Sequence, residues 1–134
     1  MTEVAVADTH ALVWYATGAR RRLGRNALRL FERADAGRAA IYVPTIVLVE
    51  VAESVRAGRI ALDRSFADWE EALFASGKYL PAEVTRAVVR AADRLYAIPE
   101  RGDRLIAATA VVLECPLVSR DPEIARIGGV EIVW

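Results

Sequence analysis

Four carboxylates stand against apolar segments of this chain. Asp8 closes the run Val4-Ala5-Val6-Ala7, and Glu50 interrupts Ile46-Val47-Leu48-Val49 and Val51-Ala52. Asp103 opens Leu105-Ile106-Ala107-Ala108, and Asp121 follows Pro116-Leu117-Val118-Ser119. Desolvating a carboxylate is costly unless it is paired, protonated or bound to a cation. If folding brings the four together, a divalent metal resolves their repulsion, and phosphodiester hydrolysis is the chemistry such a centre suits. An all-oxygen donor set favours Mg2+ or Mn2+ over zinc.

Each acid taken singly has an ordinary alternative. Asp8, Asp103 and Asp121 are good helix N-caps, the last with Pro122 at the first helical position. Glu50 has no capping role within a helix and needs a cation or an arginine to compensate it. Glu53, three residues on, is its rival, ranked second because Ser54 and Arg56 mark a helix turning toward solvent.

Side-chain bases are scarce. His10 is the only histidine and reads as a helix-start residue beside Asp8 rather than a base, so no Ser-His-Asp or Cys-His set exists. Cys115 is the only cysteine, a small buried filler without a histidine partner, which removes disulfide and zinc-cluster readings. A nucleophile would therefore depend on a metal to acidify water, and in-line attack by that water leaves a 5′-phosphate and a 3′-hydroxyl.

The elements needed to position such a site are legible in the patterning. With 134 residues, 54% of them apolar, the chain suits one compact domain over 1–134. Val4 to Ala7, Ala40 to Val43, Tyr79-Leu80, Leu117 to Ser119 and Val130 to Val133 read as short buried strands. Helices are predicted from Thr9 or His10 to Gly18, from Gly24 to about Gly37, from Pro44 to Gly58, over Phe66–Ala75, from Pro81 to Pro99, over Asp103–Glu114 and over Pro122–Arg126. The third helix is β-branched from Ile46 to Val51 and by propensity alone resembles a strand. Strands alternating with helices imply α/β architecture with a parallel sheet. In such sheets ligands bind beyond the carboxyl ends of the strands, where Asp8 and Asp121 fall.

Net charge is zero, yet seven arginines lie between Thr17 and Arg38 against Glu32 and Asp35. That excess could grip phosphates, with Arg20, Arg21, Arg22 and Arg25 the foremost candidates, or could merely solvate a helix face. Trp14, Tyr15, Trp69 and Phe74 are weighed as partner anchors against core residues, with core favoured. No membrane span or signal segment is read, so a cytoplasmic location is expected.

Asp8-Thr9-His10-Ala11-Leu12, Glu50-Val51-Ala52, Asp103-Arg104-Leu105-Ile106-Ala107-Ala108 and Leu117-Val118-Ser119-Arg120-Asp121-Pro122 resemble, in order and spacing, the motifs of PIN-domain proteins, in particular VapC-type toxins of toxin–antitoxin pairs. The resemblance runs from about Val4 to Trp134. It implies a three-layer α/β/α fold with a central parallel sheet, a Mg2+- or Mn2+-dependent endoribonuclease, a homodimer, and inhibition by a cognate antitoxin. Carried over residue by residue, the metal-binding acids are Asp8, Glu50, Asp103 and Asp121, with Thr9 and Ser119 as lesser hydrogen-bonding members. Glu100-Arg101-Gly102 replaces the Asp-Pro-Phe of many relatives, which leaves open whether Glu100 assists. The alternatives are an inactive PIN-like binding module and a receiver-type Mg2+-dependent signalling domain; the latter wants a lysine late in the chain, and the only lysine is Lys78.

Overall fold

The structure is a computed structural model that describes residues 3–134. Met1 and Thr2, the first positions of the expected domain, lie outside the described residues. The strands are β1 (Glu3–Ala7), β2 (Ala39–Pro44), β3 (Tyr79–Ala82), β4 (Leu117–Val118) and β5 (Ile132–Val133). The helices are α1 (Thr9–Ala16), α2 (Arg25–Asp35), α3 (Thr45–Arg56), α4 (Phe66–Ala75), α5 (Arg86–Arg94), α6 (Arg101–Leu113) and α7 (Pro122–Gly128), with a short 3-10 turn at Arg20–Arg22.

All described strand pairs are parallel, in the order β3-β2-β1-β4-β5, with helices forming the outer layers of an α/β/α fold. The chain winds outward from β1 through β2 to β3, then returns to add β4 and β5 on β1's other side. That reversal makes the β1/β4 boundary the switch point at which ligands bind. A receiver domain runs 2-1-3-4-5, so this order excludes that alternative.

The core is apolar and continuous. Phe31, Leu12, Ile41, Ile106 and Leu117 are among its largest fully buried side chains. The β-branched third helix is a helix because Val47 and Val51, one turn apart, both bury completely. Burying each is worth about 1.5–3 kcal/mol, more than the few tenths that valine loses to better helix formers. Trp14 and Tyr15 belong to this core, and Trp69 and Phe74 pack against it half-exposed.

Two predicted boundaries are corrected. Pro81 does not open a helix: it lies in β3, paired with Val43, and α5 starts at Arg86 after Thr85 caps Val88 N–H. Because β3 is the sheet's edge, the N–H that proline lacks is not needed for a second ladder. Asp103 is not an N-cap, since α6 begins at Arg101 with Glu100 in the cap position. Asp103 sits instead in the first turn, where the helix dipole favours an anion.

Candidate active site

The carboxyl ends of β1 and β4 lie side by side, Ala7 registering with Val118 and the Asp8 N–H donating to the Val118 carbonyl at 3.1 Å. The residues just beyond, Asp8 on one strand and Ser119 to Asp121 on the other, therefore share one edge of the sheet. Asp8 Oδ1 accepts from the Ala11 N–H at 2.9 Å and Asp121 Oδ1 accepts from the Glu123 N–H at 2.9 Å. Both acids are thus helix caps and cleft residues at once, one oxygen serving each cap. Ser119 is buried, and its hydroxyl accepts from the Asp121 N–H at 3.2 Å, fixing the turn.

A cleft of about 480 Å3 opens at this edge, lined by Asp8, Asp103 and Asp121 together with Glu100 and Ser119. A smaller adjoining recess is lined by Asp8, Thr9, Glu50, Glu100 and Asp103. Burial raises the carboxyl of Asp103 above its ordinary range, and the charges of Glu100, Glu50, Asp8 and Asp121 push it further the same way. Asp8 is also raised, chiefly by burial, against the opposing pull of the Ala11 N–H, the Ser119 hydroxyl and His10. None of the four predicted acids takes part in a salt bridge among the described residues.

Glu50 is positioned from two sides. The Thr9 hydroxyl donates to Glu50 Oε1, and Oε2 lies against the α6 backbone at Gly102, so close that a Cβ there would collide with it. Glu53, the rival, is exposed and faces a groove beside Arg59 and Arg101. Gly102→Ala should therefore displace the Glu50 carboxylate while the helix itself tolerates or gains from alanine, by about 1 kcal/mol at most. The expected result is an unchanged or higher melting temperature with at least tenfold lower turnover, of the size that losing a supporting contact at a metal site costs, about 10–100-fold. Full turnover in that variant would show that Glu50 need not occupy this place.

The four acids are near enough for Glu50, Asp8 and Asp121 all to act on Asp103. Among the described residues no three His, Cys, Asp or Glu side chains come close enough to clasp a metal unaided. Asp8 and Asp121 each commit an oxygen to a cap, and Glu50 is turned to Thr9 and Gly102. The acids line a cleft instead of forming a closed cage. That still fits Mg2+ or Mn2+, because Mg2+ keeps several waters and commonly takes only one or two carboxylates from the protein. Asp8 and Asp103, both raised chiefly by burial and neither in a salt bridge among the described residues, are the pair best suited to hold it.

The predicted arginines divide. Arg20 lies over the Tyr15 ring at 4.4 Å, whereas Arg22 lies over Trp14 at 5.1 Å, beside the cleft; Arg21 and Arg25 are exposed. Residues that sequence reasoning did not place in the site are Trp14, Arg120 and Trp134, which line the cleft together with His10. Arg120 could have been suspected from its place between Ser119 and Asp121. Trp134 carries no such local signal, since only tertiary folding brings it to Trp14.

The PIN domain family model matches residues 5–130, and the chain belongs to that family. Its fold is similar to a chain of the VapBC2 complex from Rickettsia felis bound to a DNA fragment from their promoter, with a TM-score of 0.67, 16% identity and 96% of each chain covered. FitAcB from Neisseria gonorrhoeae gives a TM-score of 0.65 at 15% identity, covering 98% of this chain and 96% of that one. DNA-bound VapBC from Salmonella typhimurium gives 0.66 at 13%, with 98% and 97% covered. At these identities the likeness is one of fold. No curated protein matches the chain. Among the described residues no helix is long and apolar enough to cross a membrane.

Proposed function

We propose that this protein is a Mg2+- or Mn2+-dependent endoribonuclease and the VapC-type toxin of a toxin–antitoxin pair, acting in the cytoplasm as a homodimer restrained by a cognate antitoxin. The observation that carries the chemistry is a cleft at the sheet's switch point lined by carboxylates that form no salt bridge among the described residues. PIN-family membership and fold neighbours that are themselves toxin–antitoxin complexes support the biological role.

A divalent ion, when bound, would supply an acidified water and neutralise the scissile phosphate. Asp8 and Asp103 would hold that ion, with Asp121 and Glu50 beside them. Thr9 keeps Glu50 Oε1 engaged, and the close approach of Oε2 to Gly102 fixes the carboxylate from its other side. Ser119 keeps the Asp121 turn rigid. Of Arg20, Arg21, Arg22 and Arg25, Arg22 stands nearest the cleft, on Trp14, and would offset the repulsion between an acidic site and a polyanion.

The deciding experiment is incubation of purified protein with single-stranded RNA in Mn2+, in Mg2+ and in excess EDTA. Internal cleavage with either metal, yielding 5′-phosphate ends, and none in EDTA is the expected outcome. Cleavage that persists in EDTA, or yields 2′,3′-cyclic ends, would remove the metal-dependent mechanism. The inactive-module reading predicts no cleavage under any of the three conditions.

A further inference from the structure

The cleft has a wall that the metal chemistry does not use. Trp14 and Trp134 meet edge to face with centroids 6.1 Å apart, and His10 tilts against Trp14 at 5.6 Å. The guanidinium of Arg120 stands over the Trp14 ring at 5.0 Å and that of Arg22 at 5.1 Å. Trp134 is clamped: its carbonyl accepts from the Asn26 N–H at 3.2 Å, and its ring lies so close to Gly24 that a Cβ there would stand 2.6 Å from Cδ1 and 2.9 Å from Cγ. Trp14, 8% exposed, is the floor, while His10 and Trp134 keep surface open to the cleft.

On the ribonuclease reading above, we propose that this wall is a nucleobase subsite: an unpaired base next to the scissile phosphate stacks on Trp134 and His10, and Arg120 with Arg22 hold the flanking phosphates. Every base offers a π-face, so an aromatic shelf binds without demanding sequence, but only when the base is out of a duplex. The cleft's volume of about 480 Å3 suits a small-ligand-sized group. A guanidinium already docked on a ring surrenders less freedom on meeting a phosphate than a free side chain does. The placement also answers an electrostatic problem, since a strand entering between carboxylates needs fixed cations within the same cleft, and Arg120 is there.

The test maps the cleavage position on a single-stranded RNA, then replaces the nucleotide on each side of it with an abasic one. Binding is read by anisotropy of labelled RNA in EDTA, and kcat/KM in Mn2+. Losing the stacked base should weaken both by about tenfold or more, the size of base–aromatic stacking. Trp134→Ala should cost the same and become indifferent to the abasic change, with Trp134→Phe retaining most of the wild-type binding. Arg120→Ala should flatten the salt dependence by about one phosphate contact, and Arg120→Lys should restore it. If Trp134→Ala does not fold, the abasic substrates on wild-type protein decide alone. Wild-type cleavage that ignores the missing base on either side overturns the subsite and leaves the nuclease standing. Loss of antitoxin capture in Trp134→Ala, with RNA binding unchanged, overturns it in favour of a protein-docking wall. Absence of both binding and cleavage by wild-type protein removes the nuclease reading and the subsite with it.

Discussion

Asp103→Asn and Asp8→Asn should each reduce RNA cleavage by more than about a hundredfold while leaving a cooperatively folded protein. The figure is a floor, because losing a group that merely supports a metal ligand already costs about 10–100-fold. Asparagine removes the charge but keeps the shape. At position 8 it also keeps the helix cap, since asparagine ranks with aspartate at that position and can still accept from the Ala11 N–H. The variant therefore separates the two duties of Asp8, capping α1 and facing the cleft. Single-turnover cleavage assays paired with circular dichroism would show it; near-wild-type turnover in either variant would remove that residue from the metal centre.

Divalent ions should raise the melting temperature of the wild-type protein by several degrees and do little for either asparagine variant. An ion at about a hundred times its dissociation constant stabilises by about 2.7 kcal/mol, and a domain of this size shifts by a few degrees per kcal/mol. Without metal the ordering reverses. Asp8 and Asp103 have folded-state carboxyl pKa values above the ordinary 3.8, so between that value and their raised ones the folded chain holds more protons than the unfolded. Their contribution to stability then falls as pH rises through that window and is recovered on acidification. At neutral pH the metal-free variants should melt above the metal-free wild type and respond less to pH across the same window. Melting curves at several pH values, in EDTA and in Mn2+, test both halves. A metal-free Asp103→Asn protein that melts below the wild type would mean that the charge is compensated from within the chain.

Sequence reasoning reached the parts of this protein that depend on local chemistry. Short apolar runs ending in acids were readable as parallel strands feeding a carboxyl-end site, because strand burial and strand termination are written in neighbouring residues. Asp8 and Asp121 were legible both as caps and as site residues, and they are both caps and cleft residues. Even the β-branched third helix was identified from Pro44-Thr45 at one end and Gly58 at the other. Pro81 departs from its helix-opening pattern because a proline's meaning depends on whether its strand is an edge, which is a property of the sheet and not of the segment.

What tertiary structure alone decided is the distance between groups far apart in the chain. Glu50 is turned to Thr9 and Gly102, and the acids line a cleft together with Glu100. Trp134 reaches Trp14 only because β5 docks beside β4, and Arg22 and Arg120, nearly a hundred positions apart, come to share one ring. A residue's type and its immediate neighbours determine what chemistry it can do and which element it joins. Which distant partner it meets is set by packing of the whole core, where burial energies summed over many side chains outweigh any local preference.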